Sequence, residues 1–182
     1  MEYDSVSKMN YHHYLPPENL FDLTGKNYAI FGGSSGIGLG MAVGLGKAGA
    51  SMLLIGRNKS KLDSSLEFLK QQQIEATGIQ GSIVDTTVLQ DIDNYLDKSE
   101  RGIDGVILSA ALSHIESSEN YPLKVVKEII DTNLYSQFVI AQWACKKMKN
   151  NGGGIIFISS GSSIKAMPKN VIYSLLKVPS MV

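Results

Sequence analysis

The stretch Phe31-Gly32-Gly33-Ser34-Ser35-Gly36-Ile37-Gly38 decides the fold. It follows the apolar run Tyr28-Ala29-Ile30 and leads into Leu39–Leu45, with Ile37, Met41, Leu45 and Ala48 at helical spacing. The order is strand, glycine turn, helix. A diphosphate can rest on the free N–H groups of a helix N-terminus only where no side chain holds the backbone away. Gly32 is expected to make the tight turn, Gly36 the close approach to a ligand, and Gly38 the contact between helix and strand. The spacing is G-x-x-x-G-x-G, in which Ser34 and Ser35 add hydroxyl donors. By itself such a loop is also compatible with a purely structural glycine turn.

Downstream, Ser160, Tyr173 and Lys177 stand in the order Ser-x12-Tyr-x3-Lys. Residues i and i+4 share a helix face, so Tyr173 and Lys177 are expected to point into one cleft. With the glycine loop, this pattern resembles the short-chain dehydrogenase/reductase family, classical type, from about Leu23 to the last residue. The resemblance implies an α/β fold: a Rossmann-like, doubly wound parallel sheet in three α/β/α layers. It also implies catalysis by Asn133, Ser160, Tyr173 and Lys177. Tyr173 would exchange a proton with the substrate oxygen while hydride moves to or from a nicotinamide, because a neighbouring ammonium stabilises a phenolate. Lys177 would supply that charge and bind the nicotinamide ribose. Ser160 would donate to the substrate oxygen, and Asn133 would open a helix kink for a water that resupplies the proton. Taken alone, a Tyr-x3-Lys pair is ordinary helix surface.

Composition excludes several other classes. The 182 residues are one domain's worth of chain, 43% hydrophobic, with seventeen basic and seventeen acidic residues. Nothing builds the one-sided positive field that nucleic acid or an anionic membrane demands. Cys145 is the one cysteine, and no apolar run approaches the ~18 residues of a membrane span. A soluble cytoplasmic protein without a metal site is expected.

Residues 1–22 form an extension rich in Tyr, His and Pro, and 23–182 the NADP-binding domain. Adjacent His12 and His13 have no Cys or carboxylate at ligand spacing, so the extension reads as a tail or oligomer arm. Leu23-Thr24-Gly25-Lys26 turns into a strand at Asn27–Phe31, and a second strand, Ser51–Ile55, ends in Gly56-Arg57-Asn58. In dinucleotide folds an acidic residue at that end binds the ribose hydroxyls, whereas a neutral residue beside an Arg accepts a 2′-phosphate. Gly56 followed by Arg57 therefore points to NADP(H), the alternative being that Arg57 is a solvated loop charge.

Further elements are expected as follows: an amphipathic helix over Lys59–Gln73, a third strand from about Ala76 to Val84, and a helix capped by Asp85-Thr86. A fourth strand covers Gly105–Leu108, a long helix about Leu123 to Lys149, a fifth strand Ile155–Ile158, and a last helix starts near Val171. Ser82, followed by Ile83, stands where the resembled family has an acidic contact to adenine. Leu108-Ser109-Ala110-Ala111 replaces its Asn-Asn-Ala-Gly, which removes the amides that brace the central strand. The cofactor set is then Gly32, Ser34, Ser35, Gly36, Ile37, Gly38, Arg57, Asn58, Ser82, Ile83, Ala110, Tyr173 and Lys177. Cys145, with no base beside it, reads as a packing residue.

Only Val178–Val182 follow Lys177. The resembled family continues with two more strands and a substrate loop, so the chain reads as C-terminally incomplete, a fragment or a truncated product. The expected activity is hydride transfer between NADP(H) and a small carbonyl or secondary alcohol, of sugar, polyol or 3-oxoacyl type. A homo-oligomer, dimer or tetramer, is implied for the full-length protein. A catalytically inactive nucleotide-binding or interaction module is the reading from another class.

Overall fold

The computed structural model describes residues 20–177; His12 and His13 lie outside them. Five strands, β1 (Asn27–Phe31), β2 (Ser51–Gly56), β3 (Ala76–Gln80), β4 (Gly105–Leu108) and β5 (Gly154–Phe157), form one parallel sheet in the order β3-β2-β1-β4-β5. Helices α1 (Gly36–Lys47), α2 (Lys59–Gln71), α3 (Thr87–Ser99), α4 (Leu123–Ile130), α5 (Ser136–Met148) and α6 (Val171–Lys177) follow or link them. The strand order reverses between β1 and β4, which is where open α/β sheets bind ligands.

Period-two alternation along the strands builds two half-cores. Ile30, Met52, Leu54 and Ile107 face α1 and α2, packing on Ala42, Leu62 and Leu69. Ala29, Phe31, Leu53, Ile55, Val106 and Leu108 face the other way, onto Val88, Ile92 and Leu96 of α3 and Ile140, Trp143 and Ala144 of α5. Phe31 meets Trp143 edge-on, ring centroids 6.3 Å apart. Each such buried aliphatic or aromatic side chain contributes roughly 1.5–3 kcal/mol. This is the doubly wound three-layer architecture expected from the sequence. Among the described residues no helix is long and apolar enough to cross a membrane.

Several elements differ from the sequence expectation. The buried residues of α1 are Gly38 and Ala42, while Ile37 is 62% exposed. Gly38 lets the helix ride so close to β1 that small residues turn inward and Ile37 is left on the rim. β3 stops at Gln80, because its register with β2 runs out at Gly56; the Gly81 N–H bonds Gly56 O, and the chain then turns. Before α3, Asp85 Oδ1 accepts the Thr87 N–H at 3.0 Å, whereas the Thr86 side chain makes no capping bond. β5 lies one residue earlier than expected. Cys145 is exposed, not packed, because it sits on the side of α5 away from the buried Ile140, Ala144 and Met148.

The expected long helix is interrupted. A π-helical turn over Asp131–Tyr135 separates α4 from α5, and the Ser136 N–H and Oγ both bond the Asp131 carbonyl oxygen, the hydroxyl at 2.6 Å. Such turns widen a helix and gather at functional sites. After α5, Gly152 at φ +73° returns its N–H to Met148 O and closes the helix.

Candidate active site

The glycine loop is shaped by what its missing side chains would strike. Gly32 has φ +86°, and a Cβ there would come within 2.6 Å of Ala110 N. A Cβ on Gly38 would strike the Gly32 carbonyl oxygen, so α1 can rest on the loop only if residue 38 is glycine. Gly36, φ +53°, faces open space. Only glycine adopts that backbone without strain and leaves the space in front of the helix end clear.

In front of this loop lies a cleft of about 380 Å³ at the carboxyl ends of β1 to β4. Gly32, Ser34, Ser35, Gly36, Ile37, Arg57, Asn58, Ser82, Ile83 and Ala110, ten of the expected cofactor residues, line it. Gly38 lies beneath, in the helix-to-loop contact. Ser109, Thr132 and Lys61 line the cleft as well and were missed by the sequence reading; Ala111 lines it beside Ala110. Thr132 adjoins Asn133, so only the inserted turn brings it there; Lys61 is the fourth residue beyond Arg57, a helical spacing the sequence does show.

The segment after β4 is held from the strand side and from the helix side. Ser109 and Ala110 both give their N–H to Phe31 O, at 2.9 and 2.8 Å. From the helix side, buried Gln137 donates Nε2 to Ala110 O at 3.1 Å. Buried Asn133 accepts the Leu112 N–H at 2.8 Å and donates to Leu112 O at 2.7 Å. Two amides four residues apart on one helical run thus hold the segment that lacks amides of its own at 108 to 111. Asn133 sits in the kink as expected, with its side chain fastened to the Leu112 backbone.

Tyr173 and Lys177 do come together. The Lys177 ammonium lies 5.6 Å from the centre of the Tyr173 ring and donates to the Ile158 carbonyl at 2.6 Å. Lys177 is only 4% exposed, and burial holds its pKa below the ordinary lysine value. Ile158 in turn bonds Leu108 O, which puts the pair one strand beyond the cleft-lining segment after β4. Ser160, at the end of β5, accepts the Ser162 N–H on its Oγ at 3.2 Å, so its own proton stays free to donate outward. The loop before α6 is tied to the loop after β4 by the Glu116 N–H on Lys169 O, 2.8 Å. Neither Ser160, Tyr173, Lys177 nor Asn133 lines the dinucleotide-sized cleft.

A family model described as short chain dehydrogenase matches residues 26–178. The chain belongs to the short-chain dehydrogenase family. It is 29% identical over 160 residues to gluconate 5-dehydrogenase of Gluconobacter oxydans, an alignment covering 87% of this chain and 62% of that one. It is 32% identical over 159 residues to very-long-chain 3-oxoacyl-CoA reductase of Macaca fascicularis, covering 81% and 49%. The crystal structure of a short-chain type dehydrogenase/reductase from Mycobacterium marinum superimposes with a TM-score of 0.83 at 26% identity, over 89% of this chain and 67% of that one. The chain thus spans about half to three fifths of the length of these curated relatives. Within this short-chain dehydrogenase the glycine cradle, the hydroxyls of Ser34 and Ser35 and the cationic Arg57 fit a nicotinamide dinucleotide in shape and in donor chemistry.

Proposed function

We propose that this short-chain dehydrogenase is an NADP(H)-dependent oxidoreductase acting on a small carbonyl or secondary alcohol. The observation that carries the reading is the charge of the cleft: where β2 ends, it is lined by Gly56 and Arg57, and among the described residues no carboxylate lines it. A carboxylate there would repel a 2′-phosphate; a guanidinium is the side chain best matched to one. The bound nicotinamide would supply or accept the hydride.

The protein's residues handle binding and the proton. Ser34 and Ser35 offer hydroxyls to the diphosphate, and the open backbone at Gly36 lets it approach. Asn58, Ser82, Ile83 and Ala110 close the walls of the adenosine and ribose subsites. Ser160 donates its free hydroxyl proton to the substrate oxygen and holds it for Tyr173. In reduction the Tyr173 hydroxyl gives its proton to that oxygen, and in oxidation the phenolate takes it from the alcohol. The buried Lys177 ammonium stabilises the phenolate in surroundings where water screens little. Asn133 fixes the segment after β4 against which the ribose would lie. The candidate substrates are sugar acids or polyols and 3-oxoacyl thioesters; the names of the relatives cover a sugar acid and a 3-oxoacyl-CoA.

Titration with NADPH and NADH, followed by nicotinamide fluorescence, tests the cofactor reading on wild type and Arg57→Ala. NADPH should bind more tightly than NADH, and the preference should shrink in the variant. A screen of 5-keto sugar acids and 3-oxoacyl thioesters for NADPH oxidation, with Tyr173→Phe as control, tests the chemistry. If neither nucleotide binds saturably, the assignment is refuted.

A further inference from the structure

We infer that Lys61 is a second cation for the 2′-phosphate of the dinucleotide, held at a fixed place relative to the glycine loop by the Ser65 hydroxyl; this rests on the NADP(H) reading. Among the described residues, Arg57 and Lys61 are the only charged side chains lining the cleft, and neither takes part in an ion pair there. Lys59, between them, is spent on Asp63 at 2.8 Å and does not line the cleft. The first turn of α2 carries no acidic residue to neutralise the two. Two cations thus stand on one wall of the cleft with no carboxylate among the described lining residues, an arrangement that suits a dianion.

The placement of Lys61 is built and not incidental. Buried Ser65 sets its Oγ 2.8 Å from the Lys61 carbonyl oxygen and 2.9 Å from the Ser34 carbonyl oxygen. Its single proton is shared between the two carbonyls in a three-centre bond, which ties the first turn of α2 to the backbone of the phosphate loop. Asn58 Oδ1 takes the Lys61 N–H at 2.9 Å, so that amide is already used and the grip on an anion falls to the side chain. The Ser34 hydroxyl completes the pocket floor: a Cβ at Gly56 would come 2.7 Å from Ser34 Oγ. That hydroxyl can rotate away from a side chain at position 56, so it is the charge of the lining, Arg57 and Lys61, that suits the site to an anion.

Adenosine 2′,5′-bisphosphate and 5′-AMP, titrated calorimetrically against the full chain, separate the 2′-phosphate from everything else in the cofactor. Wild type should favour the bisphosphate at least tenfold. Lys61→Ala should weaken bisphosphate binding about tenfold, the size of one charge-assisted contact, and leave 5′-AMP unchanged. Lys61→Arg should restore most of the loss, and the salt dependence of bisphosphate binding should flatten in Lys61→Ala. Lys61 is exposed, so its removal does not threaten the fold. If Lys61→Ala binds both probes as wild type does while Arg57→Ala loses the bisphosphate, the role of Lys61 is refuted and the NADP(H) reading stands. If wild type does not distinguish the probes, or binds neither, the NADP(H) reading falls and Lys61 with it.

Discussion

Asn133 and Leu112 are joined by two reciprocal hydrogen bonds, 2.8 Å into the Asn133 carboxamide oxygen and 2.7 Å out of its nitrogen. The amide of a helix residue thereby completes the pairing of the backbone that leaves β4, as a neighbouring strand would. The π-helical turn is what lets it reach: it presents Thr132 to the cleft and Asn133 to Leu112.

Asn133→Ala should therefore lower stability by about 2–4 kcal/mol, because it strands a part-buried N–H and C=O together. Urea unfolding followed by circular dichroism measures this. Asn133→Asp should cost no less, since it sets a carboxylate oxygen against the Leu112 carbonyl oxygen in a buried place. A loss below about 1 kcal/mol for the alanine variant would mean that Leu112 finds other partners.

Two glycines of α1 offer a matched comparison. Gly38→Ala pushes a methyl into the Gly32 carbonyl and should cost about 3 kcal/mol or more, together with dinucleotide binding. Gly40→Ala, on the exposed side of the same helix with nothing within 4 Å of the added methyl, should stabilise by up to about 1 kcal/mol. Equal effects in thermal unfolding would remove the argument that Gly38 is fixed by contact.

The sequence showed most of what local chemistry determines. β1 and β4 fall on their expected residues because short apolar runs bounded by Gly or polar residues leave few other limits. The glycine loop, Arg57 and the Tyr173–Lys177 pair were legible because each needs a residue type at a fixed spacing. What stayed hidden depends on partners far along the chain. The break at Asp131 is compatible with unbroken helix periodicity; the resemblance implied a kink at Asn133, but not that its amide pairs with Leu112. Gln137 serves Ala110 across 27 residues, and Ser65 serves Ser34 across 31. Cys145 was misplaced because a lone apolar residue on a long helix has no periodicity of its own to say which side is buried.

Lys177 makes stability depend on pH in a predictable direction. Its folded pKa lies below the unfolded value, so above both values neither state holds the proton and there is no difference. As pH falls through the unfolded pKa, the unfolded chain is protonated first, and the folded state is disfavoured, fully so below the folded pKa. Stability of the wild type relative to Lys177→Met should therefore rise as pH is raised from 7 toward 10. Paired urea titrations across that range give the difference directly, and parallel curves would mean that the ammonium is solvated in the folded protein.

Cys145 tests the outer face of α5. It is exposed, and Phe138 on the same helix is 65% exposed. A thiol so placed should react with an aromatic disulfide reagent in the folded protein at a rate close to that in urea, and Cys145→Ser should change stability by less than about 0.5 kcal/mol. Slow labelling of the native protein, relieved by mild denaturant, would instead show that this apolar face is covered in solution. Repeating the labelling at tenfold lower protein concentration then separates cover by a second copy, which dilution removes, from cover within one chain, which it does not.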